Sequence, residues 1–250
     1  MNAPAPPRPN PPDLGLDRSR IRAVTLDLDD TLWPIWPTIA RAEAVLQSWL
    51  AEHAPATAAL CADRAVPKRV REQLNAERPD LAHDMTALRR EAIRRVLVQA
   101  GDDPDLAVPA FEVFFAERQR VELFDDALPA LEFLAGRYPV VAVSNGNADV
   151  DRVGIGAHFH ASVSARAFGV GKPDPRIFHA AAEAAGVAPH EVLHIGDDAH
   201  LDGVGALNAG MQLVWVNRFG HDWTHAPLAP HLTVNDLGAL CRALEEGFSQ

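Results

Sequence analysis

The chain is poor in cysteine, in positive charge and in long apolar runs. Cys61 and Cys241 are the only cysteines in 250 residues. They are far apart and match no metal or redox spacing, and a reducing, cytoplasmic setting suits them. Lys and Arg number 23 against 34 Asp and Glu, a net charge of −11. That balance argues against nucleic acid or an anionic membrane as a partner, though not against a phosphorylated small molecule bound in one locally basic cleft. No apolar run approaches the roughly 20 residues needed to span a bilayer. The opening "MNAPAPPRPNPPDLGLD" lacks the apolar centre of a signal peptide. It reads as a disordered, polyproline-like tail over residues 1–19.

What is present is enough apolar sequence for a sizeable core, 48% of residues. The length allows one large domain, or a core domain interrupted by a smaller one. "AVTLDL" has the form of a short strand buried on both faces. From residue 36 to 121 the texture is helical throughout, as in "TIARAEAVLQSWLAEH" and "DMTALRREAIRRVLVQAG", with Gly101 and Pro104 as punctuation. Beyond residue 122, helical runs alternate with the apolar strands "PVVAVSN", "HASVSA", "EVLHIGD" and "QLVWVN", and a weaker "HLTV". The expectation is an α/β fold: a doubly wound parallel sheet formed by residues 20–35 and 122–250, with an all-helical insertion over 36–121.

Acidic groups collect where the strands end. "RAVTLDLDDTLWPIWP" places Asp27, Asp29 and Asp30 within four residues at the end of a buried strand. Like charges this close repel, burial raises the cost, and a divalent cation is the natural offset. Open α/β sheets bind ligands beyond the carboxyl ends of their strands. Ser144, Asn145 and Gly146 fall at one such end. Gly196, Asp197 and Asp198 fall at another, with Asp202 close behind, and Lys172 precedes a helix in "GVGKPDPRIF". Four clusters distant in sequence would converge on one crevice. The eleven histidines show no metal spacing, and His200 reads as a loop residue.

This order of motifs, "DLDDT", "SN", "KPDP" and "GDDAHLD", resembles the haloacid dehalogenase-like superfamily from about Arg20 to about Asn217. The helical insertion matches that family's first-type cap. The resemblance implies that Asp27 is a nucleophile forming an aspartyl-phosphate, with Asp29 as general acid and then general base. It further implies Mg²⁺ held by Asp27, Asp197 and the carbonyl of Asp29. Thr31, Ser144, Asn145 and Gly146 would bind phosphate, and Lys172 would supply a fixed positive charge. Asp198 and Asp202 would stand behind the ligands, and Asp30 would stabilise the turn.

Dehalogenases of the superfamily lack an acid two residues after the nucleophile. Asp29 therefore points to oxygen leaving groups and to a small phosphate ester as substrate. "ERPDLAHDMTALRREAI", "VAVSNGNADV" and "VLHIGDDAHLDGVGALNAGMQLVWVNR" look like bacterial phosphatases acting on flavin mononucleotide and on the ribitylamino-uracil phosphate of riboflavin synthesis. Alternatives are a sugar-phosphate or phosphoglycolate phosphatase, or a non-catalytic binding protein, against which the complete acid set argues. Trp33 and Trp36 lie where the chain leaves the core. One ring lining the cleft could stack on a planar substrate; the other reading is core packing. Arg89, Arg90, Arg94 and Arg95 read as a solvated helix face. Oligomeric state is not legible.

Overall fold

Six short strands build the scaffold: β1 (Ala23–Leu26), β2 (Val140–Ser144), β3 (Ala161–Ser164), β4 (Val192–Gly196), β5 (Gln212–Val216) and β6 (Leu232–Val234). They pair in parallel throughout, in the order β3-β2-β1-β4-β5-β6. This is the expected doubly wound sheet, seen in a computed structural model that describes residues 14–245. β1, β2, β4 and β5 are buried along their whole length, which explains why they read as continuous apolar runs. The edge strands β3 and β6 are only partly buried.

The chain runs outward from β1 to β2 and β3, then returns to the other side of β1 for β4. The strand order reverses there, so the ligand crevice of such a sheet opens beyond the carboxyl end of β1.

Five helices interrupt the sheet after β1: α1 (Ile35–His53), α2 (Pro55–Cys61), α3 (Ala65–Glu77), α4 (Met85–Ala100) and α5 (Ala107–Arg118). Among the described residues this segment holds no named strand. Asp84 caps α4 by accepting the Ala87 N–H, and Gly101 ends it with φ +83°. The insertion buries its own clusters, one around Leu50, Leu97, Phe111 and Phe114 and another around Val70, Leu74 and Val96.

The remaining helices are α6 (Ala127–Ala135), α7 (Val150–Val153), α8 (Ala165–Phe168), α9 (Pro175–Ala184), α10 (Gly205–Asn208) and α11 (Leu237–Glu245). On one face of the sheet, Leu131 and Leu134 of α6 and Leu240 of α11 pack on Val24 and Leu26. On the other, Ile177 and Phe178 of α9 pack on Val141, Leu213 and Trp215.

The stretch expected as a tail over 1–19 falls partly outside the described residues. Where it is described, it departs from expectation. Leu14 and Gly15 donate to the carbonyls of Pro230 and His231, and the Asp17 N–H donates to Gln212 Oε1 at 2.8 Å. Residues 14–20 are thus bound to the β5–β6 side of the sheet, because backbone donors there meet acceptors that the edge leaves free.

Candidate active site

The loop leaving β1 is a tight, pinned turn. Asp30 adopts φ +57°, the left-handed region that Asp tolerates better than most residues. Its N–H donates to the Trp33 carbonyl at 2.7 Å, and its Oδ1 accepts the Ile35 N–H at 2.8 Å. Asp30 therefore caps α1 in place of Pro34, which makes no side-chain cap. Phe124 N–H donates to the Leu32 carbonyl at 2.9 Å, and Arg218, held by Asp126, donates to the Thr31 carbonyl at 2.9 Å. A turn fixed from both sides holds Asp27 and Asp29 in one orientation.

Lys172 is buried between Asp27 and Asp202. Its Nζ donates to Asp27 Oδ1 and to Asp202 Oδ1, the latter at 2.6 Å. Asp202 also accepts from His194 Nε2 at 3.1 Å and from the Asp198 N–H at 3.1 Å. His194 Nδ1 lies 2.9 Å from Thr25 Oγ1, so a hydrogen-bonded chain runs Thr25–His194–Asp202–Lys172–Asp27 through the sheet. Gly196 makes this possible, since a Cβ there would collide with the Asp202 carboxylate. Burial works against charge at each of the four titratable members, Asp27, Lys172, His194 and Asp202. At Asp202 it is outweighed by Lys172 and the His194 hydrogen bond, which hold the carboxyl down at about 2. At Lys172 it is outweighed by the two carboxylates, and the ammonium is kept charged. At His194 burial wins and the imidazole is pushed toward its neutral form.

Asp27 and Asp197 are in the opposite situation. Burial raises Asp27 to about 7, with Asp202 and Asp29 adding to the shift and Lys172 opposing it. Burial and then the charge of Asp27 raise Asp197 to about 9. Asp27, Asp197 and Asp202 offer oxygens within 4.8 Å of one another. Hard oxygen donors at this spacing suit a divalent cation. Asp202 is already committed to Lys172, His194 and the Asp198 N–H, so Asp27 and Asp197 are the pair that a cation would take. A cation between them would remove the repulsion that raises both.

Several candidates stand elsewhere than expected. Trp33 is 0% exposed and belongs to the core under the sheet, so it offers no ring face to a ligand. Its indole N–H instead donates to Asp29 Oδ1 at 2.7 Å. Thr31 is fully buried, with its hydroxyl donating to Asp197 Oδ1 at 3.1 Å and lying 3.4 Å from Asp27 Oδ2. The Gly146 N–H donates to Ser144 Oγ at 2.9 Å and is not free for an anion. Because Ser144 Oγ accepts there, its own proton remains to be donated. Asn145 clasps the backbone of Lys172 at both N–H and C=O. Asp198 caps the turn behind it, accepting from His200 and Leu201. Of the four arginines expected on a solvated face, Arg89 turns inward, to Glu43 at 3.1 Å and over the Phe114 ring at 4.2 Å.

Arg118 has no counterpart in the sequence reading. It ends α5, is 1% exposed, and its Nη2 reaches both oxygens of Asp29, at 2.6 and 2.8 Å. Gly146 leaves room for the pair: a Cβ there would meet Asp29 Oδ2 at 2.5 Å. The arginine end of the pair is buried, while the Asp29 side chain remains 21% exposed. His194 was missed as well.

A lysine-braced carboxylate thus stands at the switch point of a doubly wound parallel sheet. A family model described as haloacid dehalogenase-like hydrolase matches residues 21–210. The 5-amino-6-(5-phospho-D-ribitylamino)uracil phosphatase YigB of Escherichia coli (strain K12) is 32% identical over 229 residues, 88% of this chain and 95% of its own length. The phosphoserine phosphatase of Thermus thermophilus is 37% identical over 155 residues, 60% of this chain and 62% of its own length. The crystal structure of 2-haloacid dehalogenase from Pseudomonas syringae pv. Tomato DC3000 superposes with a TM-score of 0.82 at 38% identity, covering 91% of this chain and 99% of that one. The chain belongs to the haloacid dehalogenase-like hydrolase family.

Proposed function

We propose that the chain is a Mg²⁺-dependent phosphomonoesterase acting through an aspartyl-phosphate, with flavin mononucleotide or the ribitylamino-uracil phosphate of riboflavin synthesis as substrate. Family membership and the two phosphatases among its relatives support the enzyme class. The observation that carries the reaction type is Asp29, two residues beyond Asp27 and held by three hydrogen bonds from Arg118 and Trp33. A carboxyl so placed is suited to an oxygen leaving group, which a dehalogenase does not have to protonate. The Escherichia coli relative, matched over 88% of the chain, supports the substrate. Membership in a hydrolase family weighs against a purely binding role.

In the first step Asp27 attacks phosphorus through a carboxylate oxygen, the bond to the ester oxygen breaks, and Asp29 gives that oxygen a proton. In the second, Asp29 takes a proton from water, the water oxygen bonds to phosphorus, and the bond to Asp27 breaks, releasing phosphate, freeing the Asp27 carboxylate and returning Asp29 to its protonated form. Lys172 keeps Asp27 oriented and partly neutralised, and the Ser144 hydroxyl donates to a phosphate oxygen. Mg²⁺, held by Asp27, Asp197 and the Asp29 carbonyl, would neutralise phosphate charge and help align it for in-line attack.

The helical insertion would act as the cap that selects the leaving group. Among the described residues no helix is long and apolar enough to cross a membrane. The location we propose is the cytoplasm and the partner a small molecule, and the net charge of −11 weighs against nucleic acid. The deciding experiment is a turnover screen over phosphate esters with Mg²⁺, run beside Asp27→Asn. The variant keeps the side-chain shape and loses the nucleophile, so turnover should vanish on every ester. Near-normal turnover by Asp27→Asn would sink the covalent mechanism.

A further inference from the structure

Arg118 does more at the site than hold Asp29. Its Nη2 donates to both Asp29 oxygens, while its Nη1, also buried, has no hydrogen-bond partner among the described residues. The guanidinium is carried by an anchored helix end. It extends from the last turn of α5, where the neighbouring Gln119 clips the loop after Gly146 through the Asn147 carbonyl and the Asp149 N–H. One turn earlier, Phe114 is packed beneath Arg89. A planar fork cannot turn its second nitrogen aside while the first grips a carboxylate. Nη1 therefore stays within one guanidinium width, roughly 2.3 Å, of the nitrogen on Asp29.

To protonate the leaving group, Asp29 must come within about 2.6–3.2 Å of the ester oxygen. A donor one guanidinium width from the nitrogen on Asp29 is close enough for a leaving group seated against Asp29 to reach it. We propose that Arg118 reads the leaving alcohol: Nη1 donates to a hydroxyl on the carbon adjacent to the ester-bearing carbon, while Nη2 positions Asp29. The substrate class is a phosphate ester of a polyol with that vicinal hydroxyl. This assignment rests on Asp29 being the general acid of the proposed phosphatase reaction. An ester lacking the hydroxyl leaves Nη1 buried and unpaired in the complex, the situation in which hydrogen-bonding sites discriminate most strongly.

The test compares kcat/KM for glycerol 3-phosphate and n-propyl phosphate, which differ only in hydroxyl groups, in wild type, Arg118→Lys and Trp33→Phe. Wild type should favour glycerol 3-phosphate by about tenfold or more. Arg118→Lys keeps a positive charge for Asp29 but has no fork, so its preference should collapse toward one. Trp33→Phe removes a different donor from Asp29, so it should slow both esters by a similar factor and keep the preference. Equal wild-type use of the two esters would overturn the proposal without any variant, and so stands even where Arg118→Lys melts early. A preference that survives in Arg118→Lys would also overturn it, returning Nη1 to a phosphate oxygen or to solvent. Asp27→Asn run on the same pair separates the two readings. Its activity reports on the nucleophile, and the ester preference of the other enzymes reports on Arg118.

Discussion

Asn145 and Lys172 are joined by two reciprocal hydrogen bonds: Asn145 Oδ1 accepts the Lys172 N–H at 2.7 Å, and Asn145 Nδ2 donates to the Lys172 carbonyl at 2.8 Å. A side chain at the end of β2 thus sets the height from which the lysine reaches Asp27. Asn145→Ala should lower kcat at least tenfold with a smaller change in KM, because the lysine is displaced while the phosphate donors remain. Each lost hydrogen bond should cost about 0.5–1.5 kcal/mol of stability. Steady-state kinetics and a urea melt read both. An unchanged kcat would show that Lys172 is placed by its own packing alone.

Asp197 and Asp30 are both near the crevice, but only one faces Asp27. Asp197→Asn should raise the Mg²⁺ concentration for half-maximal activity at least tenfold. Asp30→Asn should leave it nearly unchanged, since Asn accepts the same Ile35 hydrogen bond and tolerates the same left-handed backbone. Activity titrated against Mg²⁺ for both variants decides it, and equal behaviour would mean that the cation pair is misassigned.

With Trp33 in the core, the exposed indole beside the catalytic loop is Trp36, 75% exposed on the first turn of α1. Stacking on a planar ring is worth about 0.5–1.5 kcal/mol beyond area burial. Trp36→Ala should cut kcat/KM for flavin mononucleotide by about tenfold and leave acetyl phosphate little changed. A shared loss on both substrates would remove the stacking role.

His194 is buried with Phe178 edge-on against its ring, and it faces Thr25, Asp202 and, beyond Asp202, Lys172. Burial holds its pKa below the unfolded value of 6.5. As pH falls through that unfolded value, the unfolded chain takes up the proton first, so this residue's share of stability is present at neutral pH and lost in acid. Between pH 7.5 and 5.5, unfolding free energy should therefore drop more in wild type than in His194→Gln. Equal drops in paired urea titrations would clear His194 of the effect.

The parallel sheet was legible because buried strands leave short apolar runs and each run ends in its own polar cluster. Asp27 and Asp29 could be named because they follow β1 directly, Asp202 because it stands in the turn after β4, and Lys172 because of its place in "KPDP" before α9. Arg118 could not: it is 89 positions from Asp29, and an arginine in the last turn of a helix looks solvated until the fold buries it. His194 hides for the same reason, since its partner Thr25 is 169 positions away on the neighbouring strand. Trp33 was harder to place because proximity to Asp27 does not say which side of the loop a side chain takes. The turn through Asp30 sends the ring beneath the sheet and leaves Trp36 outside.

The two crossings between sheet and helical insertion meet at one place, where the Phe124 N–H donates to the Leu32 carbonyl. The insertion therefore leaves and returns through a gap one hydrogen bond wide. Such neighbouring ends are what allow a module to be cut out or exchanged. Residues 14–32 joined to 124–245 by a short turn would keep every strand of the sheet and the Thr25–His194–Asp202–Lys172–Asp27 chain. Arg118 would leave with the excised piece. Asp27 is native to the sheet, but the arginine that grips Asp29 is on loan from the helices, so a graft of foreign helices would have to bring its own.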